Sequence, residues 1–227
     1  MERLNIGERV RFKNNQVLVI DKPPGLPVQP DPTGDASLLQ LAQIYTKGEL
    51  HLAHRLDRPT SGLVLLARKK SGLADLQAQF AEGKVTKTYL AIVAKALPTE
   101  SGELRHYLRR DGRRKKAYVS TEATDGAKAA TLAYRLVGQS ERYFCYEVVP
   151  KQGRFHQIRA QLAATGSPIK GDVKYGARRS NKDRSIGLHA ATLIFRLPVS
   201  NEEQTVRTPP PDEPLWRALV DFGGYTD

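Results

Sequence analysis

Hydrophobic and polar positions divide the chain into short apolar runs separated by loops rich in proline, glycine and charge. Apolar runs that contain β-branched and aromatic residues, bounded by turn residues, predict strands. Many of these runs follow one another with no helix between them, which favours an α+β fold with a mixed, mainly antiparallel sheet and flanking helices. The predicted strands are 16–21, 62–67, 86–94, 115–121, 129–137, 143–149 and 188–197.

Apolar residues spaced by three and four positions predict helices at 37–45, 71–82 and 154–165, and around 215–222. Ser71 is the expected N-cap of the second helix, and Gly83 lies at its carboxyl end. The apolar residues expected to share one helix face are Leu38, Leu41 and Tyr45 in the first helix, Leu73, Leu76 and Phe80 in the second, and Phe155, Ile158 and Leu162 in the third. The terminal helix is expected to pack Leu215, Leu219 and Phe222.

Length and composition limit the class of protein. A chain of 227 residues without a long polar linker suits one domain, so we expect residues 1–227 to form a single catalytic or binding domain. The one cysteine, Cys145, excludes an intramolecular disulfide and a cysteine-based zinc site. The longest apolar run, 63–67, is far shorter than the roughly 20 residues of a membrane span. The amino terminus has no secretory signal pattern, so we expect a cytoplasmic protein that does not bind a membrane.

Positive charge is concentrated in two segments. The formal net charge is +12, from 36 Lys and Arg against 24 Asp and Glu. Residues 105–116 carry seven basic residues and one acid, and residues 170–184 carry six basic residues and two acids. Clustered Lys and Arg bind phosphate backbones by releasing counterions, so we favour a nucleic-acid partner. Charge alone does not distinguish RNA from DNA or from an anionic membrane. The alternative is two solvated loops whose charge keeps the protein in solution.

The segment His54–Gly62, with the sequence HRLDRPTSG, has the strongest chemical character. It leads directly into a predicted buried strand, which can hold a site rigidly. Asp57 lies between Arg55 and Arg58, and a neighbouring guanidinium favours an ionised carboxylate that can act as a nucleophile or a base. The residues are equally consistent with an Asp57 that caps a turn and pairs with Arg58.

This segment resembles the signature of the RluA-type pseudouridine synthases, a family of RNA-uridine isomerases. The resemblance extends over roughly residues 12–200 and implies the pseudouridine synthase fold with a central catalytic cleft. Many relatives carry an S4-type RNA-binding domain ahead of this region, and we expect a form of the family without that domain. The further matching segments, in order, are DKPPGLP at 21–27, KTY at 87–89, GRFHQIR at 153–159, GDVKYG at 171–176 and LHA at 188–190.

The resemblance implies a reaction on specific uridines of structured RNA, either ribosomal or transfer RNA. The N1–C1′ bond breaks, the uracil turns over, and C5 is joined to C1′, so no cofactor and no metal is expected. The sequence has no Walker motif and no GxGxxG, which agrees with such chemistry. We expect a monomer with no obligatory protein partner. The main alternative is a non-catalytic RNA-binding protein on the same scaffold, and a glycoside hydrolase is disfavoured because those enzymes use two paired carboxylates.

The resemblance also implies roles for individual residues. Asp57 is the catalytic carboxylate, and three roles stay open: attack on C1′, attack on C6, or removal of a sugar proton. Arg159 is expected to pair with Asp57, although the residue alone reads as an exposed helix arginine. Tyr89 is expected to stack on the flipped base and to take part in proton transfer from C5, and Ile158 to line the base pocket. Arg55 is expected beside the pocket, filling the place of the extruded nucleotide or holding its phosphate.

Histidines and glycines in these segments have simpler expected roles. The spacing of His51, His54, His156 and His189 fits no usual zinc pattern, and we expect His54 and His156 to brace loops through hydrogen bonds. Gly25, Gly62 and Gly171 are expected to serve backbone geometry.

Overall fold

The computed structural model describes residues 4–225, and these residues form two compact units. Unit 1 is built from three separate stretches of the chain, within Met1–Thr86, Ala190–Pro210 and Gly223–Asp227. Unit 2 is built from Lys87–His189 and Pro211–Phe222.

The elements alternate irregularly between strands and short helices. The strands are β1 (Val10–Lys13), β2 (Val17–Lys22), β3 (His51–Leu52), β4 (Ser61–Ala67), β5 (Thr86–Val93), β6 (Ser101–Asp111), β7 (Lys116–Ser120), β8 (Lys128–Gln139), β9 (Phe144–Pro150), β10 (Leu188–Arg196) and β11 (Glu203–Arg207). The α-helices are α1 (Leu38–Thr46), α2 (Lys70–Ala81), α3 (Gln157–Ala164) and α4 (Pro214–Leu219).

The sheet of unit 1 is organised around β2 and β4. These two strands pair antiparallel with each other, β1 pairs with β2, and β3 pairs with β4. Strand β10 lies next to β4 and pairs antiparallel with β11. Every residue of β2 and β4 is buried, because both strands are central and are covered on both faces. The core of unit 1 contains Val17, Val19, Leu63, Leu65, Ala67, Leu76, Val85, Leu193, Phe195, Leu197 and Val206.

Helix α1 begins where the sequence predicts. Ser37 is its N-cap and forms a reciprocal capping box with Gln40, which satisfies two backbone N–H groups at the helix start. The buried residues of the helix are Leu38 and Ala42. Tyr45, which was predicted to share a face with Leu38, is exposed, and its hydroxyl accepts a hydrogen bond from Lys13.

Helix α2 begins one residue before Ser71. Lys69 occupies the N-cap position with an extended backbone, and its carbonyl oxygen accepts the first helical hydrogen bond, from Leu73. The prediction of Ser71 as N-cap was therefore wrong. The predicted apolar face is confirmed, since Leu76 is fully buried and Leu73 and Phe80 pack against the same core.

The sheet of unit 2 is antiparallel, in the order β5-β9-β8-β6-β7. Strand β6 is absent from the sequence-based prediction, which treated 105–116 as a charged segment. The segment in fact forms the later part of β6, the turn that follows it and the first residue of β7. Its strand pattern is hidden by charge, because Arg109 and Arg110 are exposed while Leu108 is 5% exposed and packs on the core.

Helix α3 begins at Gln157, three residues later than predicted. His156 precedes it with a φ of 53°, and this left-handed backbone cannot continue a helix in either direction. Phe155 therefore lies outside the helix, where its ring stacks on that of His156 with the centroids 3.8 Å apart. The helix packs through Ala160 into a hydrophobic cluster of unit 2 that also contains Leu108, Ala117, Ala130 and Tyr175.

Helix α4 is shorter than the predicted terminal helix, and its buried residues are Trp216 and Leu219. Phe222 lies beyond it, so the expected packing of Phe222 from this helix was wrong.

The predicted α+β class with a mainly antiparallel sheet is confirmed. Within residues 4–225, no helix is both long enough and apolar enough to cross a membrane.

Candidate active site

Asp57 lies in unit 1 on a tight turn between β3 and β4. The main-chain N–H of Thr60 donates to the carbonyl oxygen of Asp57 at 3.0 Å, which closes the turn just before β4 begins. Asp57 is half-buried and Arg55 is exposed. The hydroxyl of Thr60 is buried and has no hydrogen-bond partner within the described residues.

Arg58 fastens this turn to the proline-rich loop that follows β2. Its Nε donates to the carbonyl oxygen of Gly25 at 2.8 Å, and its guanidinium forms ion pairs with Asp31 and Asp35. The hydrogen bond from Arg58 lowers the pKa of Asp35, and the same bond raises the pKa of Arg58. The guanidinium beside Asp57 in sequence is therefore engaged with the carboxylates of the preceding loop.

Lys22 is completely buried beneath the same turn. Its Nζ donates to the carbonyl oxygens of Pro23, Leu26 and Arg58, at 2.9, 3.0 and 3.1 Å. Burial lowers the pKa of Lys22 to about 7, while the negative charges of Asp57 and Asp21 oppose that shift. No role for this lysine was predicted, although a lysine two residues after the apolar run VLVI is an unusual residue for a buried strand.

His54 and Gly62 hold the turn against the sheet, as the sequence predicts. The Nε2 atom of His54 accepts a hydrogen bond from the main-chain N–H of Leu65 at 3.1 Å, so that nitrogen carries no proton. Gly62 has a φ of +110°, and a Cβ there would lie 2.6 Å from the nitrogen of Ala190 and closer still to its carbonyl oxygen. Only glycine allows β4 to approach β10 so closely.

The other predicted site residues lie in unit 2. Tyr89 is on β5, opposite Val148 of β9, and is 8% exposed. Ile158 and Arg159 lie in the first turn of α3 and are 6% and 5% exposed. The expectation of an exposed helix arginine, drawn from Arg159 alone, was wrong. A buried guanidinium requires a compensating charge.

Asp172 supplies a compensating charge for Arg159. Its two carboxylate oxygens accept hydrogen bonds from Nε and Nη2 of Arg159, at 2.7 and 2.9 Å, in a bidentate pair. Asp172 is 2% exposed, so both members of the pair are removed from water. It lies in the GDVKYG segment, but no role was predicted for it; the available signal was an acid that follows glycine inside a basic stretch.

Tyr175 lies next to the Arg159 guanidinium and also contacts His156. The Tyr175 hydroxyl accepts a hydrogen bond from the main-chain N–H of Ala117 at 2.8 Å and lies 2.9 Å from Nδ1 of His156. The Cζ atom of Arg159 lies 5.2 Å from the centroid of the Tyr175 ring, within cation–π distance. His156 thus braces its loop by a hydrogen bond, as predicted.

The two basic segments lie together in unit 2. The Nζ of Lys174 donates to the carbonyl oxygen of Lys115 at 3.1 Å, which joins the second segment to the tip of the β6–β7 hairpin. The Arg110 guanidinium covers the Phe155 ring at 4.6 Å, and Lys116 lies 5.2 Å from the Tyr175 ring. We use the name basic face for the following basic residues of these two segments, which are exposed or partly exposed: Arg109, Arg110, Arg113, Arg114, Lys115, Lys116, Lys174, Arg178 and Arg179.

Arg55 and Asp57 thus belong to unit 1, and Tyr89, Ile158 and Arg159 belong to unit 2. The pairing of Asp57 with Arg159 and the base pocket stay predictions. Among residues 4–225, no group of three or more His, Cys, Asp or Glu side chains is arranged to hold a metal ion.

Comparison with known proteins gives consistent matches. The family model described as RNA pseudouridylate synthase matches residues 16–164. An uncharacterized RNA pseudouridine synthase of Zymomonas mobilis is 31% identical over 223 residues, covering 96% of this chain and 98% of that protein. The ribosomal large subunit pseudouridine synthase C of Vibrio parahaemolyticus is 31% identical over 219 residues, covering 92% of this chain and 67% of that protein.

A solved structure supports the same fold. Human RNA pseudouridylate synthase domain containing 4 superposes with a TM-score of 0.76 at 26% identity, covering 91% of this chain and 90% of that one. This chain spans about two thirds of the length of several curated relatives that it matches.

Proposed function

This chain belongs to the RNA pseudouridylate synthase family, in its RluA-type form, and from that premise we propose that it isomerises specific uridines of structured RNA with Asp57 as the catalytic carboxylate. The family assignment makes it an RNA pseudouridine synthase. The proposal adds the catalytic residue, the pocket and the kind of RNA. We further propose that residues 1–227 act as one catalytic domain, as a cytoplasmic monomer without an obligatory partner.

The single observation that carries this proposal is the setting of Asp57 in the HRLDRPTSG turn. Hydrogen bonds fix the turn: the carbonyl oxygen of Arg58 accepts one from Lys22, and the Arg58 side chain donates one to Gly25 in the preceding loop. Strand β4 begins immediately after the turn. A carboxylate on a rigid, half-buried turn is held at one position, which a reaction on a single base requires. Asp57 acts as nucleophile or base in its ionised form.

The other residues take the roles that the family resemblance implies. We propose that the uridine is flipped out of its stack into a closed pocket, because a detached uracil must be retained while it turns. Arg159 pairs with Asp57, Tyr89 stacks on the base, and Ile158 lines the pocket. Arg55, which is exposed, contacts the RNA beside the flipped nucleotide.

Ribosomal RNA is the first target class to test, with transfer RNA second. The Vibrio relative is named for the ribosomal large subunit, and this name supports a ribosomal substrate here. The basic face supplies the exposed positive charge that a folded polyanion needs. The alternative is a non-catalytic RNA-binding protein, and it predicts the same affinity with no isomerisation.

The decisive experiment is Asp57→Asn, which keeps the shape of the side chain and removes its charge. We expect unchanged RNA affinity and a loss of pseudouridine formation of well over tenfold. Asp125→Asn is the matched control, since Asp125 is exposed in a loop, and it should retain wild-type turnover. Turnover of Asp57→Asn within tenfold of wild type contradicts the role of Asp57. Mapping of pseudouridines in cellular RNA with and without the gene then identifies the target uridine.

A further inference from the structure

The Arg159–Asp172 pair is the most deeply buried ion pair among those described for residues 4–225, with side chains 6% and 2% exposed. Every other ion pair described for this part of the chain has at least one side chain that is more than 10% exposed. Burying two charges is costly, and well-packed apolar residues of similar volume often replace such a pair without loss of stability. The pair therefore calls for an explanation other than stability.

The geometry of the pair fixes the direction of the guanidinium. Asp172 engages the Nε and Nη2 atoms, which form one edge of the planar group. A guanidinium has a second edge, formed by Nη1 and Nη2, which can bind another carboxylate end-on. Two parallel hydrogen bonds on the first edge leave the second edge in one orientation. A lysine could not transmit such an orientation, because its ammonium is a single rotatable point charge.

Asp172 is itself held in place by the close packing of its loop. Gly171 has a φ of +83°, and a Cβ at this position would lie 2.7 Å from the carbonyl oxygen of Ser185. On the other side, Tyr175 follows Asp172 in a short 3-10 turn and lies beneath the guanidinium. The loop that carries Asp172 is thus anchored both before and after the carboxylate.

We propose that Asp172 is a positioning residue, which acts on the reaction only by orienting the Arg159 guanidinium. This inference rests on the proposed function, in which Arg159 meets the catalytic carboxylate. Asp172 does not touch the uridine. When Asp172 is replaced, Arg159 keeps its positive charge, but its guanidinium is no longer held in one orientation.

The test is a double-mutant cycle on the single-turnover isomerisation rate at saturating RNA. We expect Asp172→Asn to lower that rate at least tenfold, with the Kd for RNA within about twofold of wild type. In the Arg159→Lys background the same substitution should cause no further loss, because lysine has no second edge to orient. Asp172→Glu should give an intermediate rate, since it retains a carboxylate at a shifted position.

The matched control is Asp183→Asn. Asp183 lies in the same loop region and accepts hydrogen bonds from Ser185, so its replacement perturbs the loop without touching Arg159. Equal losses from Asp172→Asn in both backgrounds, or an unchanged rate, overturn the proposal. A wild-type protein without isomerase activity means that the proposed function has failed. If the Asp57→Asn variant is inactive while the Arg159→Lys variant is fully active, Asp57 keeps its proposed role, and the proposed roles of Arg159 and Asp172 are contradicted.

A measurement on the unaltered protein covers the case in which the variants do not fold. NMR of the arginine Nε–H groups, with the Arg159 signal assigned from Arg159→Lys or by selective labelling, reports whether this group is held. We expect slow exchange of the Arg159 Nε–H with solvent. Fast exchange, equal to that of the exposed Arg113, contradicts the orienting role.

Discussion

The Lys22 ammonium has three N–H donors, and the structure supplies three carbonyl oxygens for them. A neutral amine has only two, so deprotonation leaves one of these oxygens without its donor. The lowered pKa of about 7 records the opposing cost of burying the charge. The Lys22 side chain thus joins the loop after β2 to the Asp57 turn by hydrogen bonds, and its pKa lies near neutral pH.

Lys22 should therefore make stability depend on pH. Its pKa falls from 10.5 in the unfolded chain to about 7 in the folded protein. Between those values the unfolded chain binds more protons, so the contribution of Lys22 to the free energy of unfolding rises with pH, by at most about 1.4 kcal/mol per pH unit. Urea unfolding of wild type and Lys22→Met, at pH 6 to 9.5, measures this. A difference between the two proteins that does not change with pH contradicts the lowered pKa.

Tyr89 offers a second test at the level of one residue. Tyr89→Phe keeps the ring and removes only the hydroxyl. If the hydroxyl takes part in proton transfer from C5, as we propose, the isomerisation rate should fall by roughly 10²–10⁴ with RNA affinity unchanged. The control Tyr89→Leu should also weaken binding of the flipped base. Wild-type activity of Tyr89→Phe would leave stacking as the only role of the residue.

At the scale of elements, Gly62 shows how one position sets the distance between two strands. Gly62→Ala must place a Cβ into the backbone of Ala190 and also strain a positive φ, whereas Gly83 has a φ of +71° with open space around it. We expect Gly83→Ala to cost about 1–2 kcal/mol from backbone strain alone. Gly62→Ala should cost a further ~1–3 kcal/mol or more, because the strands must separate. Thermal unfolding of both variants measures the difference, and equal decreases in Tm contradict a steric role.

The elements also show what local sequence can predict. Strands β2 and β4 are predictable because both are mostly apolar and end at proline, glycine or charge. Strand β6 is not predictable in this way, because its outward positions are arginines that resemble a solvated loop. The start of α3 follows the left-handed backbone of His156, whose ring stacks on Phe155 and lies 2.9 Å from the Tyr175 hydroxyl. The apolar period of the sequence contains no signal for this backbone conformation.

At the scale of the whole molecule, the positive charge is uneven. The basic face belongs to unit 2, and it unites two segments that are more than 50 residues apart in the chain. Both segments are recognisable in the sequence by their charge. Their meeting at Lys174 and Lys115 depends on the tertiary fold, and no property of either segment alone predicts it.

The basic face should govern the salt dependence of RNA binding. Replacing Arg113, Arg114, Lys115 and Lys116 with glutamine should weaken binding and reduce the slope of log K against log salt by about 0.7–0.9 for each phosphate that the variant no longer neutralises. The matched control replaces four exposed lysines of unit 1, Lys47, Lys69, Lys70 and Lys84, and should change the slope little. Filter binding from 50 to 300 mM salt measures both. An equal slope for wild type and the hairpin variant places the phosphate contacts elsewhere.

The family motifs identify the residues of the proposed site. Asp57, Tyr89 and Arg159 are recognised because their neighbours form patterns of known spacing. Lys22 and Asp172 lie within such patterns, but their roles depend on distances to Arg58 and Arg159, 36 and 13 positions away in the chain. Contacts of that range follow from the assembled sheet and loops, not from local residue order.

The interleaved chain path of unit 1 has a consequence for synthesis on the ribosome. Its β1–β4 sheet emerges first, but β10 and β11 are translated only after all of β5–β9. Until then the nascent polypeptide displays part of an apolar β4 edge, which can associate with other unfinished chains. Unit 2, by contrast, has its whole sheet available before β11 is made. Premature termination near residue 185 should therefore yield an aggregation-prone product rather than a small stable domain.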